Sequence, residues 1–138
     1  MGNNINRRRP QLTLNPRFHF DSLAHDNEAA STEVLEVDLP EDTTVAPKKT
    51  PSPVFLDGVQ RISKFNRTEM DVVNIFMALY RLPEQNVDMV FTANVPTVTS
   101  SGSIDDLTVL GVKEAFMTCA KSLRIMDWDL FGDNSDSV

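Results

Sequence analysis

The apolar residues of this chain are concentrated in one part of it, and this concentration limits what the chain can fold into. Runs of apolar side chains lie almost wholly after Val54, whereas six of the eight prolines lie within the first 53 residues. Roughly 75 residues must therefore build the hydrophobic core, and a core of that size is marginal without oligomerisation or a partner. The sequence predicts one domain and favours a homo-oligomer or a complex with a protein partner.

The charged residues are sorted into blocks. Residues 1–20 contain four basic and no acidic side chains, and residues 21–47 contain eight acidic and no basic ones. Residues 48–126 are nearly balanced, with nine basic and eight acidic side chains, and residues 127–138 contain four acidic and no basic ones. Most of the net charge of −7 lies outside the apolar region. The overall acidity therefore does not predict an acidic binding face on the domain.

These patterns predict an α+β fold, a small single domain in which two main helices pack on a short antiparallel sheet. The compact domain is expected at residues 54–126. Residues 1–52 are expected to form a mostly disordered charged arm and residues 127–138 an acidic tail, because few apolar side chains there offset the entropy of ordering.

One segment of the arm has the pattern of a strand. Leu35, Val37 and Leu39 alternate with charged residues, and Pro40 ends the run. A single strand is unstable in water, so a strand at 34–39 must join the edge of a sheet, either in this domain or in a partner. The three apolar side chains are therefore candidates for partner docking.

The segment 67–82 predicts a helix. Asn66 suits the N-cap position, Glu69 completes a capping box, and Pro83 ends the segment. Its apolar side chains recur at intervals of three and four residues, namely Val72, Ile75, Phe76, Leu79 and Leu82. The broad apolar face indicates a helix that is buried on more than one side.

Three further elements are predicted. Asp57-Gly58 between two apolar runs favours a hairpin over 54–62, although a helix over 59–65 fits the same residues. Residues 87–92 predict a strand. A second helical region is expected to begin after Ser103 and to continue toward Met126, as one helix or as two shorter ones separated at Gly111.

The sequence offers no constellation for catalysis or metal binding. His19, His25 and Cys119 are far apart, and no glycine-rich phosphate loop is present. Cys119 falls on an apolar helical stripe, where cysteine is usually an inert small hydrophobe. We therefore expect a protein that is not an enzyme and has no cofactor. The single cysteine and the lack of a signal peptide or long apolar run indicate an intracellular, cytoplasmic protein.

The N-terminus suggests membrane contact. Gly2 follows Met1 in a context close to the N-myristoylation pattern, from which Asn6 departs. Arg7, Arg8 and Arg9 would strengthen the weak membrane binding of a single acyl chain. The alternative is that residues 1–9 are only a solubilising arm.

The same arginines, together with Arg17, also fit phosphate contacts with RNA. Against this, residues 21–138 carry nine basic and twenty acidic side chains, which would repel a polyanion. The leading hypothesis is a non-enzymatic, viral matrix-like or accessory adaptor, associated peripherally with membranes. The alternative is a nucleic-acid-binding protein of capsid or silencing-suppressor type. A third is a protein-binding regulator that acts through its acidic segments.

Two further sets of residues are candidate sites. In the tail, Trp128, Leu130 and Phe131 alternate with acids, as in short docking motifs, or else pack back on the core. Thr50 and Ser52 each precede a proline and are candidate phosphorylation sites.

Overall fold

The computed structural model describes residues 15–44, 46–63 and 69–132, and these form an α+β domain with two α-helices and a five-stranded antiparallel sheet. The predicted fold class is confirmed at this level. The helices are α1 (Pro16–Asp26) and α2 (Asp106–Ser122), the strands are β1 (Ala29–Asp38), β2 (Val54–Ser63), β3 (Met70–Leu82), β4 (Val87–Thr99) and β5 (Gly102–Ser103), and a short 3₁₀ helix spans Trp128–Phe131.

The sheet is a meander in which each strand pairs with its neighbours in sequence, in the order β1-β2-β3-β4-β5. In the centre, Leu56 of β2 lies opposite Met77 of β3, and Val37 of β1 lies opposite Leu56. Strand β3 has a partner on both sides and contains the largest share of the buried side chains. It is therefore the strand on which the core is organised.

The two helices cover opposite faces of the sheet. Phe20 of α1 packs in one buried cluster with Ile75 and Met77 of β3. Phe116 of α2 packs in a second cluster that includes Phe76 of β3. Since successive side chains of a strand point to opposite faces, the odd-numbered positions of β3 meet α1 and the even-numbered positions meet α2. The domain is thus a three-layer helix–sheet–helix arrangement.

The helix predicted over 67–82 is wrong, because residues 70–82 form β3. Every residue from Asn74 to Tyr80 is buried, since helices cover both faces of this central strand. A strand buried on both faces has a nearly continuous apolar run, which also satisfies helical spacing. The predicted cap at Asn66 lies outside the described residues.

The hairpin predicted over 54–62 is also wrong. The alternative prediction, a helix over 59–65, is wrong for residues 59–63, which are the part of it that the structure describes. Asp57 and Gly58 lie inside β2, which pairs with β1 on one side and with β3 on the other. Gly58 is buried against α1, so its small size serves close packing there and not a turn.

The segment 1–52, expected to be mostly disordered, contains α1 and β1 in its described part. The strand at 34–39 is present, is longer than expected, and pairs in cis with β2. A register shift between Val34 and Glu36 disrupts the simple alternation, so that Val34 and Val37 both pack in the cluster that contains Phe20. Of the arm, residues 1–14 and Val45 lie outside the described residues.

Helix α1 was not predicted, although its start has recognisable signals. The side chain of Asn15 accepts a hydrogen bond from the backbone N–H of Arg17 at 3.1 Å, and Pro16 occupies the first turn. The helix is anchored by Phe20, which is fully buried. With few other apolar residues nearby, the helix depends on this contact with the sheet.

The strand predicted at 87–92 is confirmed and extends to Thr99. The second helical region is confirmed as one helix, α2, so Gly111 does not divide it. Its N-cap is Asp105, whose side chain accepts from the N–H of Thr108 at 2.7 Å, and not Ser103. Cys119, expected to be buried, is exposed.

Candidate protein-binding groove

A groove of about 260 Å³ lies between α2 and the first three strands. We call it the α2–β1 groove, and it is lined by Glu36, Asp38, Phe55, Leu56, Asp57, Phe76, Leu110, Lys113, Glu114, Phe116 and Met117. The lining combines an apolar floor with charged groups, which is the usual composition of a site that binds a partner side chain or small group.

The aromatic part of the groove is held in place by ring contacts around Phe116. Its ring centroid lies 6.3 Å from that of Phe55 in an edge-on arrangement and 6.1 Å from that of Phe76. On its other side, Phe116 stacks on Phe91 of β4 at 5.3 Å. Phe55, Phe76 and Phe116 are nearly fully buried, and together they form the apolar floor of the groove.

Lys113 connects α2 to the sheet within the groove. Its Nζ donates to Oε2 of Glu36 at 2.9 Å and to Oδ2 of Asp57 at 3.0 Å. The other carboxylate oxygen of Asp57 accepts from Nδ2 of Asn74 at 2.7 Å. Burial lowers the pKa of Lys113, but the hydrogen bonds and charges of the two carboxylates outweigh it, and the pKa lies above its usual value.

The groove contains four carboxylates, Glu36, Asp38, Asp57 and Glu114, against the single ammonium of Lys113. Two of these, Asp38 and Glu114, are exposed and lie outside the Lys113 network. Strand β1, which supplies Glu36 and Asp38, pairs only with β2 in the described sheet. The arrangement suits a partner segment that presents basic and apolar side chains.

Of the predicted membrane- or phosphate-contact residues, only Arg17 is among the described residues, and it does not line this groove. Gly2, Arg7, Arg8 and Arg9 lie outside the described residues. Arg17 is exposed in the first turn of α1.

The docking candidates of β1 have different surroundings. Leu35, at the irregular position of the strand, is 52% exposed, and Leu39, just after it, is 66% exposed. Val37 is half-buried and packs in the cluster around Phe20. Of these three side chains, Leu35 and Leu39 present apolar surface to a partner.

The tail candidates form the 3₁₀ helix. The rings of Trp128 and Phe131 lie 6.2 Å apart and are half-buried, whereas Leu130 is exposed. Trp128 lines a small cavity beside the β3–β4 turn.

Thr50 and Ser52 lie in the segment that leads into β2. The hydroxyl of Thr50 accepts a hydrogen bond from the N–H of Ile125 at 2.8 Å, while Ser52 is exposed. Both line a second cavity, beside the C-terminal end of α2.

Within residues 15–44, 46–63 and 69–132, no group of three or more His, Cys, Asp or Glu side chains is arranged to hold a metal ion. No helix in the same part of the chain is long and apolar enough to cross a membrane.

Sequence patterns did not reveal the groove, because its polar residues are distant in the chain. Lys113 is 77 residues from Glu36 and 56 residues from Asp57. Nothing in the local spacing of these residues indicates that they meet.

Residues 7–96 match the sequence profile of a family described as "Ran-interacting Mog1 protein". The matched segment covers well over half of the chain and includes α1, β1, β2, β3 and most of β4. The chain belongs to the Ran-interacting Mog1 family.

Two curated relatives agree with this membership. The chain is 29% identical over 123 residues to a zebrafish (Danio rerio) protein named Ran guanine nucleotide release factor, an alignment that covers 84% of this chain and 67% of the relative. It is 32% identical over 111 residues to a Dictyostelium discoideum protein named probable Ran guanine nucleotide release factor, covering 74% of this chain and 54% of the relative. The chain therefore spans about half to two thirds of these relatives. No solved structure shows significant similarity.

Family membership overturns the function predicted from the sequence. The viral matrix-like membrane adaptor and the nucleic-acid-binding alternative are both wrong. The third hypothesis, a regulator acting through acidic segments, is replaced by a family defined by one specific protein partner. The prediction that the chain is not an enzyme is confirmed, because the family is described by an interaction. The same membership supports a protein partner and an intracellular localisation.

Proposed function

We propose that this chain binds a Ran-type GTPase and promotes release of its guanine nucleotide. The observation that carries this proposal is the match to the Mog1 family over residues 7–96. The names of both relatives support the release activity, since each is called a Ran guanine nucleotide release factor. The homo-oligomer expected from the small core remains a separate prediction.

We propose the α2–β1 groove as the contact surface. Its β-strand walls lie inside the segment that matches the family, which supports a role shared with that family. The groove combines aromatic floor residues with exposed carboxylates at Asp38 and Glu114. A GTPase holds nucleotide phosphates with a lysine and a magnesium ion, so loss of the nucleotide leaves positive charge uncompensated. Carboxylates on a partner are the groups that such charge attracts.

The thermodynamics of release define how the protein must act. A partner shifts the GTPase toward its nucleotide-free state only if it binds that state more tightly than the loaded state. Because such coupling is reciprocal, the nucleotide must in turn weaken binding of the partner by the same factor. We therefore expect the complex with nucleotide-free GTPase to dissociate when excess GDP or GTP is added.

The test measures release of fluorescently labelled GDP from Ran with the wild-type chain and two charge-reversed variants. Asp38→Lys/Glu114→Lys reverses two exposed carboxylates of the groove and leaves the ion pairs of Lys113 in place. Asp26→Lys/Glu84→Lys makes the same change in net charge at exposed positions that do not line the groove. We expect the groove variant to lose about tenfold or more in apparent affinity and the control to match the wild type.

The outcomes separate the activity from its location. If the wild type neither binds Ran nor accelerates release, the proposed function is wrong. If it does so and both variants are equally active, the function stands and the groove is not the contact surface. Thermal unfolding of each variant shows whether a loss of binding reflects a loss of folding.

A further inference from the structure

The segment that leads into β2 places an exposed serine beside two cations, Lys121 in the last turn of α2 and Arg124 just after the helix. A cavity of about 600 Å³ lies between this segment and the C-terminal end of α2. Ser52 lines it together with Lys121 and Arg124, and Lys49 lies on the same lining. This cavity adjoins the α2–β1 groove, because Asp38 and Phe55 line both.

Ser52 and Thr50 both precede a proline, but the structure distinguishes them. The hydroxyl of Thr50 is half-buried and accepts a hydrogen bond from the N–H of Ile125 at 2.8 Å. Modification there would break the contact that ties the segment to the end of α2. Ser52 is exposed, and its hydroxyl makes no hydrogen bond among those found within the described residues.

The sequence around Ser52 favours an extended backbone. A residue before proline is restricted to extended conformations, and Ser52 is flanked by Pro51 and Pro53. The structure places no helix or strand between residues 49 and 53. Ser52 is therefore exposed in a short segment without helix or strand, and the next residues, Pro53 and Val54, are buried in the domain.

The side chains of Lys121 and Arg124 are available to an anion. The ion pairs found among residues 15–44, 46–63 and 69–132 include neither Lys121 nor Arg124. One nitrogen of Arg124 donates to the backbone carbonyls of Lys121 and Leu123, which leaves its other N–H groups uncommitted in the same set of contacts. Lys121 Nζ lies 5.8 Å from the ring centroid of Phe55.

We propose that Ser52 is a phosphorylation site for a proline-directed protein kinase and that Lys121 and Arg124 hold its phosphate. In the reaction, the Ser52 hydroxyl oxygen attacks the γ-phosphorus of ATP, the bond to ADP breaks, and the hydroxyl proton passes to the kinase. The phosphate adds nearly two negative charges and three acceptor oxygens. The carboxylates of Asp38, Glu41 and Asp42 also line the cavity and repel the phosphate. We therefore expect the phosphate to lie next to Lys121 and Arg124 and away from these carboxylates.

The first experiment identifies the site. The full chain is incubated with a mitogen-activated protein kinase and ATP, and the product is analysed by intact mass and peptide mapping. We expect one phosphate on the wild type and on Thr50→Ala, and none on Ser52→Ala. Phosphate on Thr50 in the wild type, or no phosphorylation, would overturn the assignment.

The second experiment tests the role of the cations, using the chain phosphorylated at Ser52. Phosphorus NMR follows the second pKa of the phosphoserine, which is about 6 without neighbouring charges. We expect a lower value in the wild type, a return toward 6 in Lys121→Met/Arg124→Met, and no change in the control Lys48→Met, which does not line the cavity. A pKa that is the same in all three proteins would show that the cations do not hold the phosphate. Unphosphorylated variants are compared by thermal unfolding to establish that they fold.

Discussion

The ring of Phe20 occupies the space that a side chain at position 58 would need. A Cβ built on Gly58 lies 2.6 Å from both Cε2 and Cζ of Phe20 and 3.2 Å from the carbonyl oxygen of Glu33. No real Cβ tolerates contacts as short as the first two. Gly58 therefore allows α1 to approach β2, and this contact buries the main anchor of the helix.

Gly58→Ala should destabilise the domain by about 1–3 kcal/mol, because the new methyl group must displace a ring in a packed core. Chemical denaturation monitored by circular dichroism measures the change in the free energy of unfolding.

The control is Gly111→Ala in α2, where a Cβ meets nothing within 4 Å. That substitution should stabilise the domain by roughly 0.5–1 kcal/mol, since alanine favours the helix. Equal effects of the two substitutions would contradict the packing argument.

Tyr80 should resist ionisation in the folded protein. Burial, with a smaller contribution from the nearby Cys119, raises its pKa to about 12, while Arg124 opposes the shift. Its hydroxyl donates a hydrogen bond to the carbonyl of Ala120. The neutral form is thus favoured by folding, so this stability is present below about pH 10, the unfolded value, and is lost as the pH rises toward 12.

Because Tyr80 is the only tyrosine in the chain, ultraviolet absorbance of the phenolate follows it directly. The folded protein should titrate above the unfolded chain in denaturant. Tyr80→Phe should show no such transition and should unfold about 0.5–1.5 kcal/mol more easily at neutral pH, because the carbonyl of Ala120 loses one of its two donors and keeps the N–H of Leu123. Titration of the folded protein near pH 10 would contradict this environment.

The two carboxylates bound to Lys113 should differ in importance. Asp57 has a side chain that is 14% exposed, whereas that of Glu36 is 60% exposed. Asp57→Asn should cost about 1–3 kcal/mol, because a partly buried charged hydrogen bond is lost. Glu36→Gln should cost less than about 1 kcal/mol, since solvent screens exposed ion pairs. Denaturant unfolding of both variants in low and high salt gives the comparison, and a larger cost at Glu36 would refute it.

Asp88 should make stability depend on pH in the acid range. Burial raises its pKa, but hydrogen bonds from Arg81 at 2.6 Å and His19 at 3.1 Å outweigh this and hold the pKa below its usual value. The folded state thus favours the carboxylate. Its contribution is present above the unfolded pKa of about 3.9 and is lost as the pH falls through the lower folded value.

Asp88→Asn should therefore flatten the loss of stability below about pH 4, as should Arg81→Met, which removes the stronger donor. Unfolding free energies measured across that range test the expectation. If the acid-range slope of Asp88→Asn equals that of the wild type, the group does not act in this way.

Several elements of the fold can be predicted from local sequence patterns, namely those whose pattern fits only one kind of secondary structure. Apolar residues at helical spacing, followed by basic residues, predict helix α2. A short run of residues with high strand propensity predicts β4. Strand β1 follows from alternation up to Pro40, although its register shift was not predictable. The central strand β3 was predicted as a helix because both of its faces are buried, which removes the alternation that identifies strands.

The candidate site was largely inaccessible by the same means. The groove depends on Lys113 reaching across to Glu36 and Asp57, and such contacts between distant residues leave no periodic pattern. The function was inferred from an N-terminal motif at Gly2, whereas the comparison with the Mog1 family uses the whole segment 7–96. A match spread over many positions contains information that no short motif has.

The positions of the apolar residues and of the prolines are properties of the sequence. They are sufficient to predict one α+β domain with a small hydrophobic core. Which secondary structure each apolar run forms depends on the packing of the whole domain. Residues 70–82 are a strand because α1 and α2 cover both faces, and Gly58 is a packing site because Phe20 fills the adjacent space. The burial of a residue depends on the residues that surround it in the folded protein. For Gly58 and Lys113, those surrounding residues come from distant parts of the chain.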